Sequence, residues 1–316
     1  MMDLRGIERC RGKRSEDLTS FPFRTWKSSL RNKRRSMKQF RKVVNKYLER
    51  LKEGENREPT RYLNCHNFNT RSYIKDRVRN EFSPLTKEEE DEVNNALSAS
   101  DSKKVLVIHQ DSNIKITKED IRCLLLETWL NDEVINLYLE LLKERENREP
   151  TQYLKCHFFN TFFYKKLFNQ RGEYDYQAVK RWTTHKKLGH NLLDCDSILV
   201  PIHKHFHWTL AVINIKEKKI QYYDSLDTRD NHVFNVLTKY IQDEVEDKCR
   251  NHLNLGGWKH EHMENIPLQE NGSDCGVFML KYADFHSRGM PPDFTQANIE
   301  YYRRRMANEI LKLRVE

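Results

Sequence analysis

The stretch "SILVPIHKHFHWTLAVINIKEKKIQYYDSL", residues 197–226, indicates the core of the fold. Three of its segments, "SILVPI", "HWTLAVINI" and "KKIQYYDSL", have the composition of strands, with many β-branched and aromatic residues. The short charged turn "KEK" joins the second segment to the third. Helical patterns stand on both sides of this stretch in the sequence, and we therefore predict an α+β fold in which helices flank a central sheet.

The predicted helices are recognised by their caps and by their apolar spacing. Upstream of the strands, a capping box predicts one helix and an N-cap residue predicts a second, longer one. Downstream, the spacing predicts an apolar helix and then a last amphipathic helix. The residues that mark these four helices are Thr117, Asp120 and Leu126; Asn131; Cys275, Ser287, Gly289 and Pro291; and Ile299, Tyr302, Met306, Ile310 and Leu313.

Charge and apolar content are unevenly divided along the chain. Charged residues make up 33% of the 316 residues and hydrophobic residues 37%, which predicts a modest core and a long solvated segment. Residues 1–80 hold 23 Lys and Arg against 9 Asp and Glu, whereas the remaining residues hold 33 against 38. The whole chain is therefore not a nucleic-acid-binding domain. The basic run "RNKRRSMKQFRK" is a solvated tail, a nuclear address or a contact for acidic surfaces.

Cysteine usage and hydropathy indicate the cellular compartment. The 7 cysteines are scattered and include no C-x-x-C pair, which favours a reducing compartment over a disulfide framework. No apolar run approaches the roughly 18 residues of a membrane span, and no apolar signal segment opens the chain. We expect a nuclear or nucleocytoplasmic protein without a membrane span.

Two segments of the chain match each other. Residues 43–73 and 134–164 are identical at 22 of 31 aligned positions. The first copy has polar or charged residues where the second has apolar ones: Leu137, Leu141, Phe158, Phe162 and Phe163 become Lys46, Arg50, Asn67, Arg71 and Ser72. A segment without an apolar face packs weakly. We predict a degraded partial duplicate inside a basic, irregular N-terminal extension, residues 1–81, followed by a compact domain, residues 82–316.

Four separated residues form a candidate active site. Cys275 follows the polar turn "NGSD" and begins a predicted helix, where free N–H groups and the helix dipole favour a thiolate. His207 begins one predicted strand and Asp224 ends the next, so a hairpin would bring them together. An aspartate that accepts the imidazole Nδ1–H would orient the ring to take the thiol proton. Gln269 would donate an amide N–H to an oxyanion, beside the backbone N–H of Cys275.

These residues also have structural interpretations. A cysteine at a helix start is often inert packing, and His203, His205 and His207 alternate as in an H-x-H-x-H metal site. No supporting carboxylate or further histidine cluster stands nearby, so no metal is expected. We predict instead that the three histidines share one face of an extended strand, with the first two in solvent. The order His, Asp, Cys, together with "Q-x-x-x-x-D-C-G", favours nucleophilic catalysis.

The segments "WLNDEVINLYLELL", "VPIHKHFHWTLAVI", "YYDSL" and "QENGSDCGVFMLKYADF" resemble the SUMO-specific cysteine proteases. These belong to the ubiquitin-like-specific protease family, and the resemblance is strongest to the branch of sentrin-specific proteases 1 and 2. It covers residues 82–316 and implies a papain-like cysteine protease fold with a central mixed sheet flanked by helices. It also implies hydrolysis after the C-terminal Gly-Gly of SUMO, in precursor maturation and in deconjugation from lysine, without a cofactor.

The resemblance assigns His207, Asp224 and Cys275 to a catalytic triad and Gln269 to the oxyanion hole. The residues that it assigns to substrate binding are Trp129 and Trp208, which would lie over the Gly-Gly tail, and Asp132 and Arg303, which match positions near the bound modifier. The expected partners are SUMO and SUMO-conjugated proteins. A monomer is expected, and no nucleic acid is expected at the catalytic domain.

Other functions stay open at this point. The chain would be a weak or inactive SUMO-binding relative, an acyltransferase with the same His–Asp–Cys site, or a protease for another ubiquitin-like modifier. All four catalytic positions are filled, which disfavours the first of these. The two tryptophans and "WLND" favour a Gly-Gly passage over an acyl-donor site. One position departs from the family pattern: Ser112 stands where these enzymes usually carry a phenylalanine.

Overall fold

The structure is a computed structural model that describes residues 83–249 and 257–316. The predicted N-terminal extension, residues 1–81, and the degraded copy, residues 43–73, lie outside these residues. The main elements, in chain order, are helix α1 (Lys87–Leu97), strands β1 (Val105–His109) and β2 (Ile114–Thr117), helices α2 (Lys118–Ile121) and α3 (Asp132–Arg148), strand β3 (Cys156–Phe158), helices α4 (Phe163–Lys166) and α5 (His185–Leu188), strands β4 (Ser197–Lys204), β5 (His207–Asn214) and β6 (Lys219–Tyr223), helix α6 (Asn231–Cys249), strand β7 (Lys259–His262), and helices α7 (Cys275–Ser287) and α8 (Ile299–Leu311).

The main sheet is mixed and has the strand order β3-β4-β5-β6-β7. Its inner pairs, β4 with β5 and β5 with β6, are antiparallel, whereas the outer strands β3 and β7 pair in parallel. The three strands predicted from residues 197–226 are thus confirmed as the middle of this sheet. Strands β1 and β2 form a separate antiparallel pair, and Ser112 in their turn shares a 2.8 Å hydrogen bond with Nδ1 of His109.

Each face of the sheet covers its own apolar core. Because side chains alternate along a strand, Leu199 and Val212 face one core while Val200 and Ile213 face the other. The first core is closed by helices α3, α7 and α8, and the second is closed mainly by α6. The α+β class and the helices on both sides of the sheet are confirmed.

Helix α7 is the most buried helix of the first core, since all 13 of its residues are buried. This agrees with the prediction of an apolar helix from Cys275 to Ser287. Its few charged groups are paired inside the protein: Asp284 accepts hydrogen bonds from Lys281 at 2.6 Å and from Arg288 at 2.7 Å. A helix enclosed on every side holds its first residue in one place.

The second copy of the repeat does bury an apolar face. Leu137 and Leu141 of α3 are fully buried, and so is Phe163 of α4. Phe162 differs from this pattern, because 49% of its surface is exposed. It precedes the short helix α4, and its direction was not readable from spacing alone.

Two predicted helix boundaries are wrong. The capping box of Thr117 and Asp120 is present, but helix α2 ends at Ile121 and continues only as a 3₁₀ turn to Leu124, not as a helix through Leu126. The last helix ends at Leu311, before Leu313. The N-cap role of Asn131 is confirmed, because its Oδ1 accepts the backbone N–H of Val134 at 2.9 Å.

The prediction that three histidines share one strand face is also wrong. The chain reverses between β4 and β5, and the two turn residues His205 and Phe206 have φ angles of 51° and 60°. Such left-handed pairs match the twist of a two-residue hairpin, although Asn and Gly are the usual residues there. His203 therefore pairs with Trp208, on the strand that follows the turn.

Helix α6 is not among the predicted helices, although Val233, Leu237, Tyr240 and Ile241 have helical spacing and are buried. Within residues 83–249 and 257–316, no helix combines the length and the apolar character that crossing a bilayer requires.

Candidate active site

Cys275 is the first residue of α7 and is 2% exposed. The glycine after it is required by packing, since a Cβ on Gly276 would lie 2.9 Å from Cβ of Leu130. The start of α7 therefore touches the segment that carries Trp129. This contact explains why glycine follows Cys275, because any larger residue at position 276 would push α7 away from Leu130.

The predicted partners of the cysteine meet at the end of the central strands. Nε2 of His207, the first residue of β5, donates to Oδ1 of Asp224 at 2.6 Å. The carboxylate of Asp224 also accepts the backbone N–H of Leu226 at 2.8 Å and the hydroxyl of Thr228. Burial tends to raise the pKa of Asp224, but the hydrogen bonds from His207 and Thr228 outweigh it and lower that pKa. The carboxylate is therefore ionised near neutral pH.

His207 is held in its charged form. Burial tends to lower the pKa of His207, but hydrogen bonds with Asp224 and Cys275 outweigh it and raise that pKa to about 9. The expectation that the carboxylate accepts Nδ1–H is wrong, because Nε2 is the nitrogen that faces Asp224. The other ring nitrogen, Nδ1, is left for the thiol. The sequence pattern did not predict which ring nitrogen faces the carboxylate.

Gln269 is buried beside the turn that leads to the cysteine, with 2% of its surface exposed. Its Oε1 accepts the hydroxyl of Ser225 at 2.6 Å, and its Nε2 donates to the carbonyl of Asn271 at 2.5 Å. The backbone carbonyl of Ser225 also accepts the backbone N–H of Gln269 at 3.0 Å. Ser225 was missed in the sequence, although it directly follows Asp224, and it fixes the direction of the Gln269 amide.

The two candidate tail-binding tryptophans have different environments. Trp129 is 57% exposed, and its Nε1 donates to the carbonyl of Gly272 at 2.9 Å. Its ring stacks on Phe206 of the hairpin turn, with a centroid distance of 6.0 Å. Trp208 is 4% exposed, and it stacks on His203 at 4.3 Å. Trp129 thus lies on the surface beside the cysteine turn, whereas Trp208 belongs to the core.

Asp132 is the first residue of α3 and is half-buried. Burial lowers the pKa of His203, and the charge of Asp132 opposes that effect. Asp132 therefore lies close to the hairpin that carries the catalytic histidine candidate. Among the described residues, no group of three or more His, Cys, Asp or Glu side chains is arranged to hold a metal ion.

Arg303 is enclosed by the protein, and its expected place near the bound modifier stays a prediction. Its surface is 1% exposed, and its guanidinium points inward from α8. Nη2 donates to Oδ1 of Asp274 at 2.7 Å and to the carbonyl of Thr128 at 2.8 Å. Nη1 donates to the carbonyls of Cys123 and Leu125 at 3.0 and 2.8 Å. A guanidinium engaged in this way has no face left for a substrate.

Several known proteins resemble this chain. "Ubiquitin-like-specific protease ESD4" of Arabidopsis thaliana is 55% identical over 238 residues, which are 75% of this chain and 48% of that protein. "Sentrin-specific protease 2" of Homo sapiens is 42% identical over 239 residues, 75% of this chain and 38% of that protein. The chain spans about half the length of the first two curated relatives, at 48% and 47%.

A solved structure shares the fold described above. The C-terminal Ulp1 protease domain, crystallised in complex with Smt3, the yeast ortholog of SUMO, superposes with a TM-score of 0.62 at 30% identity, covering 73% of this chain and 97% of that one. Residues 128–315 match the family described as "Ulp1 protease family, C-terminal catalytic domain". That match includes the cysteine, histidine, aspartate and glutamine whose geometry is given above, and the chain therefore belongs to the Ulp1 protease family.

Proposed function

We propose that this chain is a SUMO-specific cysteine protease that hydrolyses the bond after the C-terminal Gly-Gly of SUMO. The observation that carries the proposal is the hydrogen bond from His207 to Asp224, with Cys275 contributing to the raised pKa of His207, in a member of the Ulp1 protease family. The sentrin-specific proteases and the Ulp1–Smt3 complex supply the substrate class by analogy. Precursor maturation and release of SUMO from lysine are the same reaction with different leaving groups.

The geometry supports acyl transfer to sulfur. The thiolate of Cys275 attacks the carbonyl carbon of the last glycine, and His207, charged below about pH 9, donates its proton to the leaving amine. The Gln269 amide would turn from the Asn271 carbonyl to the developing oxyanion, beside the backbone N–H of Cys275. Water activated by His207 then hydrolyses the thioester. Asp224 keeps the imidazole oriented throughout.

We assign the Gly-Gly tail to a passage beside Trp129. An exposed indole next to the cysteine turn can close over a backbone that has no Cβ, and a glycine pair lies flat beneath it. Trp208 would line the inner side of the passage from within the core. Asp132, at the start of α3, is a charged contact for the folded part of the modifier.

The two tryptophans can be tested together. Trp129→Ala should lower kcat/KM for SUMO cleavage by about 100-fold through misalignment of the scissile bond, while Cys275 stays reactive towards a small alkylating agent. Trp208→Ala should also lower the melting temperature, because it empties part of the core. Full cleavage activity in folded Trp129→Ala protein would refute the passage.

The function itself is tested with covalent traps. SUMO that carries a C-terminal vinyl sulfone should form an adduct with the wild-type protein at Cys275 and none with Cys275→Ser. Cys195→Ser is the matched control and should react like the wild type. Binding without an adduct would identify an inactive SUMO-binding relative. Faster reaction of a ubiquitin or another ubiquitin-like trap would assign a different modifier, since some relatives are named only as ubiquitin-like-specific.

We further propose that residues 82–316 are the catalytic domain and that the basic extension, residues 1–81, acts in localisation to the nucleus. Deletion of the extension should leave cleavage of a free SUMO precursor within about twofold of the full chain. Fusion of residues 1–81 to a reporter should move that reporter into the nucleus, and replacement of the basic run with serines should abolish the effect. A cytoplasmic fusion would contradict the localisation.

A further inference from the structure

The guanidinium of Arg303 lies between two segments that the proposed function uses separately. The first, the tryptophan loop, is residues 123–129. The second, the nucleophile turn, is residues 271–275. Arg303 belongs to neither segment. It lies on α8, and its guanidinium contacts both segments from the protein interior, with 1% of its surface exposed.

The tryptophan loop depends on side-chain donors for its order. Its carbonyls at Cys123, Leu125 and Thr128 accept hydrogen bonds from Arg303 at 3.0, 2.8 and 2.8 Å. The hydroxyl of Thr128 donates to the first two of these carbonyls as well, at 2.7 and 2.6 Å. The loop also contains Glu127 with a φ of 59°, a conformation that carries strain in residues other than glycine. Arg303 therefore holds an irregular segment in one shape.

The nucleophile turn is tied to the same guanidinium through its acidic residue. Oδ1 of Asp274 accepts hydrogen bonds from Nε and Nη2 of Arg303 at 3.1 and 2.7 Å. Oδ2 of Asp274 accepts from the side-chain amides of Asn271 and Gln296 at 2.6 and 2.7 Å. Both oxygens are thus engaged, and the residue immediately before Cys275 has no freedom to turn.

The loop and the turn also touch each other directly. Trp129 donates to the carbonyl of Gly272 at 2.9 Å, and Gly276 packs against Leu130. The first of these contacts lies at the exposed side of the site, and the second is an apolar contact between two buried residues that adjoin the loop and the turn. The guanidinium of Arg303 connects the two segments through buried hydrogen bonds, because its planar donors reach both the carboxylate of Asp274 and the loop carbonyls.

We propose that Arg303 is a positioning residue that sets the distance and orientation between Trp129 and Cys275. It touches no substrate and acts through the tryptophan loop. The inference deepens the proposed function and rests on it for the contact between Trp129 and the substrate tail. A lysine keeps the charge opposite Asp274 but lacks the planar fork, so it cannot also serve the three loop carbonyls.

The first test compares Arg303→Lys with Arg305→Lys. Arg305 lies on the same helix, is half-buried and pairs with Glu309 at 3.0 Å, away from both segments. Arg303→Lys should lower kcat/KM for SUMO cleavage by about 10- to 100-fold, with alkylation of Cys275 unchanged within about threefold. Arg305→Lys should stay within about twofold in both assays. Equal activity of the two lysine variants would overturn the inference.

A double-mutant cycle separates positioning from general support of the fold. If Arg303 acts by placing Trp129, Arg303→Lys should cost much less activity in a Trp129→Ala background than in the wild type. The shifts in melting temperature of the two single variants should add up to the shift of the double variant. An undiminished loss of activity in the Trp129→Ala background would mean that Arg303 does not act through the tryptophan, and the inference would fail.

Hydrogen exchange tests the inference without any substrate. Amides of the tryptophan loop, residues 123–129, should exchange faster in Arg303→Lys than in the wild type, and they should be unchanged in Arg305→Lys. Faster exchange in a protein that cleaves no SUMO would leave the inference standing and refute the proposed function alone. Unchanged exchange would refute the inference whatever the activity. If Arg303→Lys does not fold, the double variant Arg303→Gln/Asp274→Asn, which removes both charges of the pair, replaces it in the exchange experiment. Faster exchange of the tryptophan loop in that variant supports the inference, and unchanged exchange refutes it.

Discussion

Cys275 with His207 and Cys195 with His190 are two cysteine–histidine pairs in separate regions of this molecule. Sγ of Cys195 lies 3.4 Å from Nε2 of His190, and an interaction with Cys275 helps to raise the pKa of His207. Burial does not distinguish the two cysteines, which are 2% exposed at position 275 and 3% at position 195. Burial of a cysteine beside a histidine is therefore common to both pairs.

The surroundings of the two pairs differ in their carboxylates and in their backbone. His207 donates to Asp224, whereas in the part of the chain that the structure describes no carboxylate is hydrogen-bonded to the ring of His190. Burial and the charge of Lys155 lower the pKa of His190, and burial raises the pKa of Cys195 to about 12. Cys195 follows a 3₁₀ turn, while Cys275 begins a long helix.

The difference teaches that contact between a thiol and an imidazole does not by itself make a nucleophile. At the second pair, burial disfavours both charged forms, because it raises the pKa of Cys195 and lowers the pKa of His190. At the first pair, the ionised carboxylate of Asp224 stabilises the imidazolium of His207, and Cys275 is the first residue of a long helix, where free backbone N–H groups attract negative charge. The two pairs are therefore expected to respond differently to substitution, pH and thiol reagents.

The largest effect is expected from replacing each thiol with a hydroxyl. Cys275→Ser should lower SUMO cleavage by at least about 10,000-fold, because a serine here lacks the nucleophilic thiolate. Cys195→Ser should leave the rate within about twofold. Rates are compared on a SUMO precursor with both proteins folded. A large loss in Cys195→Ser would show that the second pair takes part in the reaction.

The next effect is expected from removing the carboxylate. Asp224→Asn should lower kcat by about 100- to 1,000-fold and leave KM nearly unchanged, because the imidazole loses its orientation and its charge partner. The alkaline limb of the pH–rate profile should also move below pH 9, since the hydrogen bond to Asp224 helps to raise the pKa of His207 to about 9. A wild-type profile in the variant would contradict the role of Asp224.

Thiol labelling compares the two cysteines within one protein. At pH 7 a small alkylating agent should modify Cys275 at least about 100-fold faster than Cys195, because a thiol with a pKa of about 12 holds almost no thiolate there. Peptide mapping after short exposure gives the two rates. Comparable labelling of both sites in the folded protein would remove the distinction between the pairs.

The smallest effect concerns stability and pH. The pKa of His207 rises from 6.5 to about 9 on folding, so its contribution is fully present below about pH 6.5 and is lost as the pH rises through about 9. The unfolding free energy of the wild type, relative to His207→Gln, should therefore fall by about 2 to 3 kcal/mol between pH 6 and pH 10. Urea denaturation at both pH values measures it, and a pH-independent difference would contradict the ion pair.

Features that depend on neighbouring residues were readable from the sequence. The strands of residues 197–226, the apolar helix that begins at Cys275 and the cap at Asn131 were predicted because alternation, helical spacing and capping are local properties. The chain order His207, Asp224, Cys275 could be read for the same reason, since each residue stands at a predicted end of a strand or helix.

Only the tertiary structure decided how those ends meet. The turn at His205 and Phe206 contains neither Gly nor Asn, the residues that usually mark such a hairpin in a sequence. The pairing of β4 with β5 imposes it. The use of Nε2 by Asp224 and the burial of Arg303 are likewise invisible in the sequence. Both depend on the packing of segments far apart in the chain, and the direction of a side chain follows from that packing rather than from its neighbours.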